Sequence, residues 1–564
     1  MTSPMETGRD GDSATGLADE MIKLMFAAEP LGATLLGVPG YDELLSDPSE
    51  EAEQELRAKG LALGQRADRL AESTVDEGDA VTLAVVAQQA RAQADRIDAR
   101  AVEYTISDFF AAPASGLLSV LPMLTFPDAQ RAEAFLARLR AVPEFLDGVV
   151  SRHRAGLAAG RTPVAHLVRG AIAHLDRYLA DPANDPLLRQ PGPEDYPTFA
   201  QDRERVVAEV VRPALAAYRD VLAAEFSAAG RPEEKSGICW LPDGEAMYAG
   251  LSRAHTSTER SPEELHQTGL DLIAKLAEEY REVGSRVFGV TDLADIFERM
   301  RTDPALRWQD GDELLDAARS AIERAEAAAP AWFGRMPSTR CQVEAVPAAE
   351  APGQPAAYYM MPSLDGKRPG VYFANTYQAH ERGRQTSEAT AFHEAVPGHH
   401  FQQAISLELT DLPLLRRCAD VNAYSEGWGL YCERLADEMG LYSGDVDRLG
   451  MLTLDSMRAG RLVVDTGLHI KGWSRQQAID YLMANTPMAP VEIVAEVDRY
   501  IAAPGQALSY MVGRLEILRI RAEATRALGD RFDIKAFHDV VLGGGPLPLS
   551  VLDEVVTRWA RASA

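Results

Sequence analysis

TSEATAFHEAVPGHHFQQAISLEL, residues 386–409, is the stretch on which the reading of this chain turns. Thr386 is a good helix N-cap, Glu388 falls in the first turn, and Ala389, Phe392 and Val396 form an apolar stripe, so His393 and Glu394 are expected on a helix. A His-Glu pair with a further His close behind is the framework in which two imidazoles hold a metal while the Glu takes a proton from water. The second His ordinarily stands four residues after the first, but position 397 here is Pro. In an unbroken helix His393 and His399 would point about 120° apart and lie about 9 Å apart along the axis, which cannot serve one ion. Pro397 lacks a backbone donor and clashes with the carbonyl of His393, while Gly398 tolerates almost any conformation. The pair is suited to form a bulge that removes two residues from the count and brings His399 to the side of His393. His400 is the rival second ligand, on the same face as His393 but about 10 Å along a continuous helix.

A catalytic zinc has three protein ligands and leaves one position to water, so a third donor is expected. It is sought in DLPLLRRCADVNAYSEGWGLYCERLADEMG, residues 411–440, which patterns as one long helix carrying Glu426. Gly427 and Gly429 beside it cost about 1 kcal/mol each relative to Ala, which predicts close approach of another backbone or of the metal-bearing helix. Glu433, two turns on, either supports a ligand from behind or meets solvent. A donor for a developing oxyanion is expected in DRYIAAPGQALSYMVGRLEI, residues 498–517, where Tyr510 is preferred over Tyr500 with a core packing role as its alternative, Gln506 is a substrate contact, and Arg514 either grips a carboxylate in a fork or, as the more ordinary reading, serves a structural ion pair. His255 and His266 read as capping and packing residues of the helix near Ser261, with cleft lining as the sharper alternative.

Outward from this centre the chain is helical. From about Gly16 to Ala228, Ala, Leu, Glu and Arg dominate with apolar residues three and four apart, and AEQELRAKGLALGQRADRLAE and AVTLAVVAQQARAQADRIDARAVEY fit an antiparallel pair. DPANDPLLRQPGPEDYP, from residue 181, breaks the pattern as a loop, residues 230–240 are loop-like, and helix resumes at Ser261, an N-cap followed by Pro262 at the first helical position and by Glu264, which completes a capping box. TRCQVEAV, PAAYYMM and GVYFANTY, within 339–377, are rich in β-branched and aromatic residues, and the last two flank a hairpin turn, PSLDGKRPG. They predict one small antiparallel sheet whose exposed edge near Tyr372 and Asn375 pairs with an extended peptide. After Thr386 helices are expected almost to the end, interrupted at TPMAP, AAPGQ and LGGGPLP. Residues 1–16 read as a disordered tail and 17–564 as a single helical domain with a soft boundary near 230.

The 564 residues are 46% hydrophobic and 25% charged, a balance that supports a large core. With 57 Lys and Arg against 85 Asp and Glu the formal charge is -28, which repels phosphate and argues against a nucleic-acid partner. Cys239, Cys341, Cys418 and Cys432 form no C-x-x-C pair, so neither a disulfide framework nor a thiolate zinc site is expected. No long uncharged apolar run predicts a membrane span, and the polar start MTSPMETGRDGDSATG does not resemble a secretory signal, so a cytoplasmic protein is expected.

HEAVPGHHFQ, AYSEGWGLYCERL and APGQALSYMVGR together resemble the bacterial family called domain of unknown function 885, over nearly the whole chain after the tail. That family looks like a helical metallopeptidase group, similar in fold to the carboxypeptidase Taq family and more distantly to angiotensin-converting enzyme and neurolysin. The resemblance implies a mainly α, two-lobed fold with a deep central cleft and a small sheet along one wall. It implies one zinc ion at His393, His399 and Glu426, with Glu394 as general base. Those relatives keep the uninterrupted histidine spacing, and their carboxylate-binding arginines have no motif match here. The expectation is therefore a zinc metallopeptidase acting on short peptides, exopeptidase or oligopeptidase, carboxypeptidase-like in fold. A non-catalytic scaffold retaining the metal site is the alternative. A di-iron protein would need paired E-x-x-H motifs, of which only Glu263 to His266 is present.

Overall fold

The computed structural model describes residues 13–347, 351, 355–364, 366 and 368–563. Most of the expected tail, residues 1–12, lies outside that set, but Ser13 caps a helix Ala14–Ala28 by accepting from the Gly16 amide, so its last residues are helical rather than disordered. Helices make up most of the molecule, with one three-stranded sheet. The Ala-rich segments form helices Glu50–Ala71 and Glu77–Asp98, packed on each other as an antiparallel pair. Ser261 and Glu264 form the expected reciprocal capping box at the start of Pro262–Phe288. Helix Gly244–Thr256 lies where no helix is expected. Among the described residues no helix is long and apolar enough to cross a membrane.

One buried apolar cluster is drawn wholly from residues 106–226. The largest cluster joins the N-terminal helices, the sheet, the motif-bearing helices and the C-terminal helices. Six helices position the site: α1 (Ser387–Glu394), α2 (His399–Glu408), α3 (Asn422–Glu438), α4 (Asp445–His469), α5 (Pro490–Ala502) and α6 (Ser509–Leu528). From Leu449 to His469 nearly every residue of α4 is buried, because it runs along Pro262–Phe288 on one side and meets α1, α5 and α6 on others. The single long helix expected over 411–440 is instead a short helix, Leu414–Cys418, followed by α3. Between them Asp420 is drawn to the Glu77–Asp98 helix, its carbonyl accepting from Gln89 and its carboxylate pairing with Arg96.

Strands β1 (Gln342–Ala345), β2 (Ala357–Met360) and β3 (Val371–Ala374) lie in the order β1-β3-β2. The expected hairpin is present, β2 antiparallel to β3, but β1 runs parallel to β3, so the sheet is mixed rather than antiparallel. β3 is thereby the central strand. Tyr372 stands between Val343 and Tyr359 and is buried, and Asn375 is fully buried, its amide donating to the carbonyls of Ala351 and Pro355 and its oxygen accepting from the Tyr377 amide. Neither lies on a free strand edge, so the substrate-binding role expected for this pair is withdrawn.

Candidate metal centre

The two-residue insertion does not bulge one helix; it ends one and starts another. α1 stops at Glu394, Ala395 leaves helical geometry, and α2 begins at His399 after a Val396–Pro397 bond in the cis form. Gly398 is required there, since a Cβ would overlap the carbonyls of His393 and Phe392. The Pro397 carbonyl, freed from any helix ladder, accepts from Trp428 Nε1 at 2.9 Å and Cys432 Sγ at 3.3 Å, both on α3. Thr386 begins α1 without a side-chain capping bond. Glu388 is not an exposed first-turn acid: it accepts from Ser443 and pairs with Arg324.

This break sets the His393 and His399 rings edge to face, 4.7 Å between centroids. Glu426 rises from α3 against both: its Oε2 is 3.5 Å from His393 Nε2 and 3.3 Å from His399 Nε2. One donor atom from each of the three side chains lies within 4.8 Å of the other two. The glycines of α3 make the approach possible. A Cβ on Gly429 would stand 2.7 Å from His393 Cε1, and one on Gly427 would stand 2.5 Å from Gly513 Cα, where α6 crosses.

Behind the cluster, His393 Nδ1 lies 2.8 Å from Glu433 Oε1, which fixes the ring so that Nε2 faces Glu426. Burial lowers the basicity of His393, but the Glu426 and Glu433 carboxylates outweigh it and hold the imidazole up to about 10. Glu426 is pushed up by burial and pulled down further by the two histidines, ending well below the usual carboxylate range. The trio thus concentrates negative charge around two imidazoles, an environment that competes for a cation as readily as for a proton. Two imidazole nitrogens and a carboxylate oxygen, with an orienting carboxylate behind one imidazole, are the donor set and support of a catalytic zinc site. His399 Nδ1 is buried without a hydrogen-bond partner among the described residues, so this second imidazole lacks a comparable support there.

Glu394, the last residue of α1, is half-buried beside this cluster, and no described residue forms a hydrogen bond or ion pair with its carboxylate. The Tyr510 ring stacks over His393, 6.4 Å between centroids and 19° from parallel, and its hydroxyl accepts from Arg499 at 3.1 Å. Gln506 joins the same arginine, accepting at 2.8 Å. His400 is turned away, its Nδ1 on the Tyr359 hydroxyl and its Nε2 on the Thr339 carbonyl, so it is not a ligand of this cluster. Arg514 does not reach toward a ligand carboxylate either: it is buried in an ion pair with Asp455, which corrects the substrate role expected for it. His266 bonds Thr466 and His255 bonds Asn422, in keeping with packing roles.

Sequence reasoning missed three arginines around Tyr510: Arg458 and Arg461 of α4 and Arg499 of α5. The available signal was MRAGRLVVD, two arginines a turn apart inside an otherwise apolar helix. Asp465 was also missed; it accepts from the Tyr248 hydroxyl and from the Gly505 amide, and so anchors the turn that leads into Tyr510.

No curated protein matches this chain. Among solved structures it is similar to a "putative lipoprotein" from Colwellia psychrerythraea, with 28% identity, a TM-score of 0.89, and coverage of 98% of this chain and 100% of that one. It is also similar to a "putative lipoprotein of unknown function" from Shewanella oneidensis, with 18% identity, a TM-score of 0.72, and coverage of 97% and 100%, a likeness of fold alone. These two descriptions overturn the expectation of a cytoplasmic protein. A family model matches residues 30–556, a span holding both halves of the interrupted histidine motif, Glu426, Glu433 and Tyr510, and so the chain belongs to the bacterial proteins of unknown function designated DUF885.

Proposed function

We propose that this protein is a zinc-dependent peptidase acting on short peptides, in the manner of the helical metallopeptidases that its motifs resemble. The observation that carries the reading is the convergence of His393, His399 and Glu426 within 4.8 Å of one another, from three helices, with Glu433 braced behind His393. A zinc ion held by these side chains would supply Lewis-acid polarisation of a peptide carbonyl and acidification of a water. Glu394, next in sequence to a ligand and without a competing partner among the described residues, accepts the proton of that water and passes it to the leaving amine. The Tyr510 hydroxyl, held by Arg499, donates to the carbonyl oxygen as negative charge develops there. The lipoprotein descriptions of the two structural neighbours support a membrane-anchored or secreted setting in which such an enzyme would meet peptides outside the cytoplasm.

The test is metal analysis of the purified protein together with mass spectrometry of a peptide mixture incubated with it. We expect one zinc per chain and cleavage that stops on chelation. Glu394→Gln is expected to keep the metal and lose about 10²- to 10⁴-fold in turnover, the range for removal of a positioned general base. Stoichiometric zinc with no hydrolysis, and a Glu394→Gln variant indistinguishable from the parent, would replace this reading with a metal-bearing scaffold.

A further inference from the structure

Tyr510 carries a donor that the protein leaves unspent. Its hydroxyl oxygen accepts from Arg499 Nη2 at 3.1 Å, and a guanidinium has no lone pair to give in return. Among the described residues none accepts the phenol's own proton, so that hydrogen is left for whatever binds beside His393, over whose ring Tyr510 stacks. Two arginines on different helices set its aim. Arg461 of α4 lies against the ring, its guanidinium carbon 4.4 Å from the centre, and Arg499 of α5 holds the oxygen. Two guanidiniums against one phenol repel each other, and Arg461 opposes the charge on Arg499. Glu496, on the same helix as Arg499, joins them. It accepts from Arg461 Nη2 at 2.7 Å and Nε at 3.1 Å, from Arg499 Nη1 at 3.4 Å and from the Tyr500 hydroxyl at 2.5 Å. Burial would raise this carboxyl, but Arg461 and Arg499 outweigh it and hold it down to about 2, so it is charged at neutral pH. The acids that flank Arg461 on α4 cannot take its place: Asp455 is engaged by Arg514 and Arg434, and Asp465 by Tyr248 and Gly505.

We propose that Glu496 is a positioning residue for Tyr510: by binding Arg461 and Arg499 together it fixes the ring and turns the phenol proton toward the carbonyl oxygen of a bound substrate. The inference rests on the peptidase reading and adds to it what aims the oxyanion donor. The partners of Glu496 are Arg461, Arg499 and Tyr500, none of them a metal donor, so its effect on the chemistry passes through the two guanidiniums. An unrestrained phenol turns its O–H about the C–O bond, and the bond from Arg499 takes one of those directions away. A donor stabilises developing charge only when it already stands within about 2.7–3.1 Å of the place where that charge appears, so a small tilt of the ring is felt in the rate. Glu496 ties α4 to α5 at the point where both meet Tyr510 of α6, and the aim of one hydroxyl is thereby set by three helices. A purely structural salt bridge between α4 and α5 would instead affect stability and leave the reaction alone.

Glu496→Gln keeps the length of the side chain and removes its charge. In the zinc-loaded protein we expect kcat for a cleaved peptide to fall about 10- to 100-fold, up to the loss that goes with an ångström of misplacement, with KM held within about threefold. In a Tyr510→Phe background the same change should cost no more than about twofold, because the group it positions is already gone. Asp185→Asn, which breaks the buried pair with Arg212, is the control for lost stability and should lower the melting temperature with kcat unchanged. Calorimetry with acetohydroxamate, a small chelator of zinc, gives a readout free of turnover. Glu496→Gln and Tyr510→Phe should each weaken its binding by about tenfold, and the double variant should match either single one. If Glu496→Gln does not fold, Arg461→Lys, which keeps the charge and loses the fork, takes its place. An unchanged kcat, or a loss undiminished in the Tyr510→Phe background, would overturn the positioning role and leave the peptidase reading intact. Coupled weakening of acetohydroxamate in a protein that takes up zinc and cleaves nothing would keep the positioning role and remove the peptidase reading, and a protein that takes up no zinc would remove both.

Discussion

At the scale of single residues, the pair of adjacent histidines makes the sharpest test of the ligand set. His399 turns its Nε2 to Glu426, and His400 spends both nitrogens on Tyr359 and Thr339. We expect His399→Ala to abolish stoichiometric zinc, and His400→Ala to retain it while losing about 1–3 kcal/mol of stability from two broken buried hydrogen bonds, as read by metal analysis and denaturant unfolding. The opposite pattern would move the ligand set to His400. Glu433→Gln keeps the shape but weakens the hold on His393 Nδ1, and a 10- to 100-fold drop in zinc affinity, roughly the usual effect of losing an orienting carboxylate, is the expected result of a competition titration. His393, His399, Glu426 and the bracing role of Glu433 were all legible in the sequence, because each is an unusual polar choice at a helical position. Arg514 misled because a guanidinium one turn from Tyr510 reads the same whether its carboxylate comes from a ligand or from Asp455, 59 residues away along the chain.

The elements carry a different lesson. Periodicity located the helices around the motifs, yet it assigned one helix to 386–409 where there are two and one to 411–440 where there are again two. In each case the apolar pattern continues across the break, and the break is made by tertiary bonds that a local window does not contain: Pro397 to Trp428, and Asp420 to Gln89 and Arg96. The strands were found for their β-branched and aromatic content, but their order was not, because pairing of β1 with β3 depends on where the intervening chain returns. Glycine in a helix proved the better guide to packing. Gly427 and Gly513 let α3 and α6 touch backbone to backbone, so Gly513→Ala is expected to destabilise the protein by about 1–3 kcal/mol without changing zinc stoichiometry at low temperature. Gly429→Ala should act on the metal instead, pressing on the His393 ring and lowering zinc affinity at little cost to the melt.

For the molecule as a whole, pH dependence should carry the mark of its buried polar groups. Burial raises Asp465 from 3.8 to about 7 despite the bonds from Tyr248 and Gly505. Its folded form therefore favours the protonated acid, so its contribution to stability is complete below about pH 4 and is lost as pH rises through 7. Asp465→Asn should flatten the decline of the melting temperature across that window, which a series of thermal melts between pH 4 and 8 would register. Each of the four cysteine thiols is likewise raised by burial, so none is a ready thiolate at neutral pH. The stitching of Pro397 to α3 has a mechanical outcome of its own. One rod carries Glu426, cushions the His393 ring at Gly429 and tethers the hinge before His399 through Trp428 and Cys432. A tilt of that rod would drag every donor in concert, so the three-point clamp would drift as a unit rather than come apart, and its spacing would outlast sizeable motion of the surrounding helices.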